Sequence, residues 1–193
     1  MQRGRAGDAE EALQAFTRAI ELAPSAPVPY SNRIIAYEAL GNFPAALADA
    51  EKAIALDDGE AAAWFNRANV EARLGDWAAA ASSYGAAADR APGLAGYRMA
   101  QARALFESGP AADRRAIQLL RGVVRRNPQF AEANAALAAV LSATGDAGGA
   151  EEAYAAAEGP PWGDPALARP ETYDRLLNWG PRLREAMVTF LAS

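Results

Sequence analysis

Gly41-Asn42-Phe43-Pro44-Ala45-Ala46-Leu47-Ala48-Asp49-Ala50-Glu51-Lys52-Ala53 returns 34 residues later as Gly75-Asp76-Trp77-Ala78-Ala79-Ala80-Ala81-Ser82-Ser83-Tyr84-Gly85-Ala86-Ala87. Extending this register outward, Ala12, Phe16, Ala19 and Pro24 stand 34 residues before Ala46, Ala50, Ala53 and Asp58, and Pro92 ends the next copy. Ala116, Leu120, Val123 and Pro128 follow after 36 residues, and Ala150, Tyr154 and Ala157 after another 34. Turns recur in step: Gly7-Asp8, Gly41-Asn42, Gly75-Asp76 and Gly145-Asp146. Each element has a physical task. Glycine ends one helix in a left-handed conformation, and the Asp or Asn after it caps the next. The recurring Ala sits where two helix backbones cross, the aromatic four residues on shares its face, and Pro breaks the helix.

The unit is therefore a pair of antiparallel helices. The pattern predicts helices near 8–22, 27–40, 44–56, 61–74, 78–90, 94–108, 113–126, 131–143 and 147–158, with an enlarged turn at 109–114 that absorbs the two extra residues. The first copy supplies only the second helix of its pair. A Pro/Gly-rich segment, 159–165, then ends the array. Short helices are expected at about 171–178 and 182–192, the last with Leu183, Ala186, Met187, Phe190 and Leu191 on one stripe. Two readings of that stripe stand: a cap on the end of the array, or a docking helix for a partner. The expected division is 1–158, the array, and 159–193, linker and cap.

Composition narrows the chemistry. Over 193 residues the chain is 51% hydrophobic and 22% charged, as in a folded domain, and abundant Ala favours helix. Its net charge of −5 argues against bulk attraction to nucleic acid. With no Cys and no His, thiolate nucleophiles, Cys/His zinc sites and imidazole acid–base catalysis are out of reach. No run of apolar residues is long enough to span a membrane. Trp64 and Trp77 fall at repeat-packing positions and are expected in the core, and Trp162 and Trp179 in the C-terminal segment are expected to be buried against the last repeat. Acid pairs such as Asp57-Asp58 and Glu151-Glu152 fit helix-terminus electrostatics better than paired-carboxylate catalysis.

The repeat resembles the tetratricopeptide repeat family, over about residues 7–157. The resemblance implies an all-α fold, a right-handed solenoid of helical hairpins closed by C-terminal capping helices. Its implied role is a protein-interaction scaffold or assembly factor, not an enzyme and without a cofactor, that holds a protein or peptide in a concave groove. In such solenoids the first helix of each hairpin lines the groove. Carried over, the partner-binding positions are Asn32 and Ile35, then Phe65, Asn66, Asn69 and Arg73, then Met99, Arg103 and Phe106. Asn32 and Asn66 stand where the family often grips a peptide backbone, although a structural helix hydrogen bond explains an amide there equally well. The basic residue that clamps a C-terminal carboxylate in some members is replaced by Ala62, which disfavours heat-shock chaperone tails as ligands. Departures from the family pattern include Arg33 and Arg67 at positions usually held by Leu, and Ala50 and Asp58 in the second copy.

On the second helix of the fourth hairpin, Arg114, Arg121 and Arg125 share one face, with Arg115 and Arg126 beside them and no acid in 114–126. This face is either simply solvated or a convex site for an acidic protein or anionic headgroups. The Asn-Arg pairs at 32–33 and 66–67, with the ending Trp179-Gly180-Pro181-Arg182-Leu183, also resemble tetratricopeptide proteins of cyanobacteria and chloroplasts. That implies a thylakoid-associated chloroplast protein, peripheral to a membrane complex, the alternative being a soluble intracellular one. A permanent structural subunit of a large complex remains the rival to the scaffold.

Overall fold

The structure is a computed structural model that describes residues 2–159, 164–168, 172 and 179–193. The expected helix at 171–178, residue 172 apart, and Trp162 lie outside the described residues. Contacts divide the chain into two compact units, Met1–Pro92 and Gly93–Ser193. The C-terminal helix packs among the hairpins of the second unit.

The first unit holds α1 (Gln2–Leu22), α2 (Pro27–Ala39), α3 (Phe43–Leu56), α4 (Ala61–Arg73) and α5 (Trp77–Arg90). Helices α2 and α3 form one hairpin and α4 and α5 the next, with α4 also packed on α3 and α2. The turns are built as expected. Gly41 and Gly75 take φ of 72° and 79°, and the Asn42 and Asp76 side chains accept from the Ala45 and Ala79 N–H groups at 3.3 and 3.1 Å. Gly7-Asp8 is the exception: no turn forms there and α1 runs straight through both residues. A helix already paired with α2 gains nothing by breaking at Gly7, whose cost inside a helix is only about 1 kcal/mol.

The crossing alanines are buried as their spacing requires. Ala46, Ala50, Ala53 and Ala80 are fully enclosed, and Ile34 and Val70 pack into the space that Ala46 and Ala50 leave. The two departures from Leu have a common solution. Arg33 makes a two-pronged ion pair with the buried Asp49 at 2.7 and 2.8 Å, and its Nη1 donates to Thr17. Arg67 pairs with the buried Glu71, one turn along its own helix, at 2.8 Å. The aliphatic stems fill the leucine's volume while the carboxylates compensate the guanidinium charge. Trp64 and Trp77 are only half-buried. Trp64 lies under the Arg90 guanidinium, 4.5 Å from its ring centre, and donates to the Asp58 carbonyl.

The second unit holds α6 (Ala95–Glu107), a short 3-10 turn at Pro110–Ala112, α7 (Asp113–Arg126), α8 (Ala131–Ala143), α9 (Ala147–Glu158), a second 3-10 turn at Pro165–Ala168 and α10 (Pro181–Leu191). The enlarged turn is real: Gly109 takes φ 122° and the 3-10 turn follows. Ala116, Leu120, Val123, Ala150 and Ala157 are buried in one apolar core with Phe106, Leu183 and Met187. Helix α10 reaches α9 through Phe190, which meets Tyr154 edge-on at 5.2 Å between ring centres. It packs chiefly on α8 and also on α6, the first helices of their hairpins.

Candidate functional site

In the first unit the family's groove positions fall on α2 and α4. Ile35 is 55% exposed and Arg73 is exposed, so both face solvent. Asn32 and Asn66 have different fates. The Asn66 amide donates to the Ser31 carbonyl of α2 at 3.0 Å and so fastens α4 to its neighbour. Asn32, the same position one repeat earlier, makes no such bond among the described residues. Phe65 packs tilted against Tyr84 of α5, 5.2 Å between ring centres, and the Tyr84 hydroxyl donates to Asn69 Oδ1 at 2.7 Å; among the described residues the Asn69 amide nitrogen makes no further bond. Glu38 stands half-buried beside these residues. Burial pushes its carboxyl above the usual range, and the Arg73 charge pulls it back in part.

Between α1 and α2 lies an apolar cleft of about 300 Å³. Helix α1 contributes Asp8, Ala9, Ala12 and Phe16, and α2 contributes Asn32, Ile35, Ala36 and Ala39. Among the described residues Asp8 and Asn32 are the polar side chains that line it.

The second unit is built otherwise. Met99 and Phe106 are buried and Arg103 is half-buried, so they do not form an open groove surface here. The expectation for Met99 and Phe106 is corrected by α10. Both residues lie in the same core as Leu183, Ala186 and Met187 of that helix. The N-terminus of α10 is held by a carboxylate from another helix. Glu107 accepts from the Arg182 and Leu183 N–H groups at 3.0 and 2.8 Å, taking the place of a local cap. Arg182 pairs with Asp113 through both prongs, at 2.6 and 2.7 Å, lies 3.7 Å from the Phe106 ring centre and donates to the Phe106 carbonyl. Glu132 accepts from both Arg103, at 2.6 Å, and Trp179 Nε1, at 3.2 Å. Burial raises the Glu107 carboxyl above the usual range, against the pull of its two N–H donors and nearby Arg182. The Tyr154 hydroxyl is likewise pushed up, first by burial and then by Glu158.

Sequence reasoning missed this arrangement of Glu107, Asp113, Glu132, Trp179 and Arg182. One signal was present. Helix α8, Ala131-Glu132-Ala133-Asn134-Ala135-Ala136-Leu137-Ala138-Ala139-Val140-Leu141, has almost no polar face, and a helix apolar all round must be covered all round. Residues 133–141 are indeed all buried.

On α7, Arg114, Arg121 and Arg125 are exposed, and Arg121 reaches Asp146 at 3.3 Å. An exposed pair of that kind contributes little. Among the described residues no cluster of acidic side chains is arranged to hold a metal ion, and no helix is long and apolar enough to cross a membrane.

Comparison with known proteins agrees with this architecture. A family model described as tetratricopeptide repeat matches residues 32–95. The Hsp70-Hsp90 organizing protein of Triticum aestivum is 42% identical over 79 residues, covering 41% of this chain and 14% of that protein. Serine/threonine-protein phosphatase 5 of Homo sapiens is 38% identical over 80 residues, covering 42% of this chain and 16% of that one. The chain thus matches only about a sixth of the length of these relatives. Among solved structures, MamA of Desulfovibrio magneticus RS-1 has a TM-score of 0.69 at 20% identity, over 78% of this chain and 84% of that one. YrrB, described as a TPR protein with an unusual peptide-binding site, has a TM-score of 0.68 at 23% identity, over 93% and 91%. At these identities the likeness is one of fold.

Proposed function

Because this chain belongs to the tetratricopeptide repeat family, we propose that it is a protein-interaction scaffold whose working surface is the α2/α4 face of the first unit. One observation carries the reading. The family's groove positions remain open there, at Ile35, Arg73 and the amide end of Asn69, whereas in the second unit Met99 and Phe106 are buried in a core that includes α10. An exposed aliphatic residue, a cation and amide groups on one rigid helix pair suit a peptide or helix that offers apolar anchors and at least one carboxylate. The peptide-binding site named for YrrB and the organizing role named for the wheat relative support such a use. Here Ala62 supplies no cation, so Arg73 is the positive charge of the face. The ligand is accordingly a segment anchored by side chains more than a tail held by its terminal carboxylate. Assembly of a larger complex, the permanent-subunit alternative included, is compatible with the same face.

The test is crosslinking capture from the native source with wild-type and variant chains. Arg73→Glu should reduce recovery of the specific partner about tenfold, the usual effect of reversing an interface anchor. Arg121→Glu with Arg125→Glu should leave recovery unchanged. The opposite result would transfer the site to α7.

A further inference from the structure

We infer that the cleft between α7 and α9, with the arginine row that edges it, is a second docking surface, which takes an amphipathic α-helix of a partner protein with carboxylates along the edge that meets α7. This goes beyond the scaffold reading and lies wholly in the second unit. Its ligand is a different one, so reversing these arginines leaves capture of the α2/α4 partner unchanged.

Two observations meet at Arg121. The first is uncompensated charge. At about 100° per residue, Arg114, Arg121 and Arg125 fall within about 40° of one line on α7, in a row about 16 Å long. Elsewhere the fold compensates its arginines: Arg33, Arg67, Arg103 and Arg182 each meet a carboxylate at 2.6–2.8 Å. On this row Arg121 has Asp146 at 3.3 Å, an exposed and weakly held pair. Arg114 and Arg125 are exposed and make no ion pair among the described residues, in a chain whose net charge is −5. The second observation is shape. Helices α7 and α9 stand on either side of a cleft of about 250 Å³ with α8 beneath it. Val124, Leu137, Leu141, Ala153 and Ala156 make it apolar, and the exposed Arg121 and Glu152 stand on its opposite sides.

Charge and shape together select the occupant. Asn134, the amide beneath the cleft, already donates to the Pro128 and Phe130 carbonyls. An extended segment would therefore leave backbone groups unpaired there, whereas a helix satisfies its own and inserts apolar side chains alone. Arg121 and Arg125 are one turn apart and match carboxylates one turn apart on that helix, with a third about two turns on for Arg114. The guanidinium fork accepts each carboxylate through two donors. A membrane surface or a nucleic acid fits less well, because Asp146 and Glu152 of the α9 side repel a continuous sheet or chain of negative charge. A helix carries its carboxylates on one edge only. A second copy presenting this same face is also a poor fit. The exposed side chains of α7 and α9 are arginines, Gln118, glutamates and Ala or Gly, and none of them is an apolar group longer than a methyl to fill the cleft.

The probe is a fluorescent Ala-based helical peptide of about five turns, with a leucine stripe and with glutamates along one flank at the spacing of the arginine row. Two further forms carry Gln for each Glu, or Ala for each Leu. All are titrated against the full-length chain by anisotropy. The Glu form should saturate with a Kd at or below about 100 μM, and the other two should bind about tenfold more weakly or worse. Arg121→Gln with Arg125→Gln should erase the advantage of Glu over Gln, as should high salt. Ala156→Gln, an exposed change that fills part of the cleft, should weaken the Glu form about tenfold. Circular dichroism checks that the variants fold. Absence of saturation below about 1 mM, or a Glu advantage that survives loss of the two arginines, would overturn the inference. If Arg73→Glu abolishes binding while the α7 and α9 variants do not, the peptide lies on the α2/α4 face, so this inference fails and the scaffold reading stands. If phosphatidylserine vesicles or single-stranded DNA bind through Arg121 and Arg125 more tightly than the Glu peptide, the row serves a polyanion and the partner-helix inference is wrong. Self-association abolished by Ala156→Gln would make the occupant a second copy, with the same consequence.

Discussion

In the first unit Ile35 and Arg73 look out from α2 and α4 into solvent. In the second, the matching side of α6 and α8 lies beneath α10. The two units share one hairpin design, so the contrast comes from a few positions. Ser31, Asn32 and Ile35 of α2 and Phe65, Asn66 and Asn69 of α4 correspond to Met99, Ala100 and Arg103 of α6 and to Ala135, Ala136 and Ala139 of α8. The three α8 alanines are completely buried. Methyl groups there let another helix approach closely, and a water-exposed apolar strip would be costly if nothing did. Where these positions are amides the face tolerates water. Where they are alanines the chain supplies a helix of its own.

Trp179→Ala should break this contrast most severely. The ring is 4% exposed and anchors the entry to α10 on Glu132, so truncation should destabilise the second unit by about 3–5 kcal/mol. Urea unfolding reads the loss. A change under about 1 kcal/mol would mean that α10 contributes little to that core. Next comes the carboxylate that caps α10. Glu107→Ala removes two charge-assisted bonds to helix N–H groups and should cost about 1–3 kcal/mol. Gly180→Ala acts on the same contact, because a Cβ there would meet the Glu107 side chain. The double variant should therefore lose clearly less than the sum of the two single losses. Additive losses would show that the two residues act separately.

A smaller effect sharpens the contrast inside the first unit. Asn66→Ala should cost about 1 kcal/mol, since the Ser31 carbonyl loses its donor. Asn32→Ala, at the equivalent position facing the cleft, should stay within about 0.5 kcal/mol while weakening any ligand seated there. Thermal melts of the pair decide it. Equal losses would mean that Asn32 is as structural as its repeat partner.

Much of the hairpin architecture is legible in the residues alone, since its determinants are local. The crossing alanines 46, 80, 116 and 150 are all fully enclosed, and most helix ends fall within a residue or so of where Gly, Asn, Asp and Pro place them. Gly7-Asp8 misleads because a turn signal acts only where two helices must be joined, and α1 continues through it. The Arg33–Asp49 pair hides for a related reason: each residue reads alone as a surface charge, and only the packing of α2 on α3 reveals a compensated pair. The placement of α10 is harder still. Its contacts with Glu107 and Phe106 bridge about 75 residues of sequence. An apolar stripe states that a helix must bury one face but does not say which surface receives it. The groove positions carried over from the family thus divide into Asn32, Ile35 and Arg73, left open to a ligand, and Met99 and Phe106, claimed by the chain itself.

The finest test of the contrast is titration of one carboxyl in each unit. Glu38 and Glu107 both have pKa values raised above the ordinary 4.5, chiefly by burial. A folded-state value above the unfolded one means that the folded protein binds the proton more readily. Each group therefore penalises folding when ionised, and that penalty is relieved as pH falls through the raised value toward 4.5. The opposing interactions differ. Glu38 is held down only by the Arg73 charge, so Arg73→Ala should raise its midpoint further, followed by carboxyl carbon NMR. For Glu107 burial outweighs the two N–H donors of α10 and the charges of Arg182 and Arg184, and those donors are present only while the helix is seated. Unseating it with Gly180→Ala should let the Glu107 midpoint fall back toward 4.5 while Glu38 stays where it was. A Glu107 midpoint that does not move would mean its burial comes from α6 and α7 alone, and α10 would then be a cover resting on a site already dry.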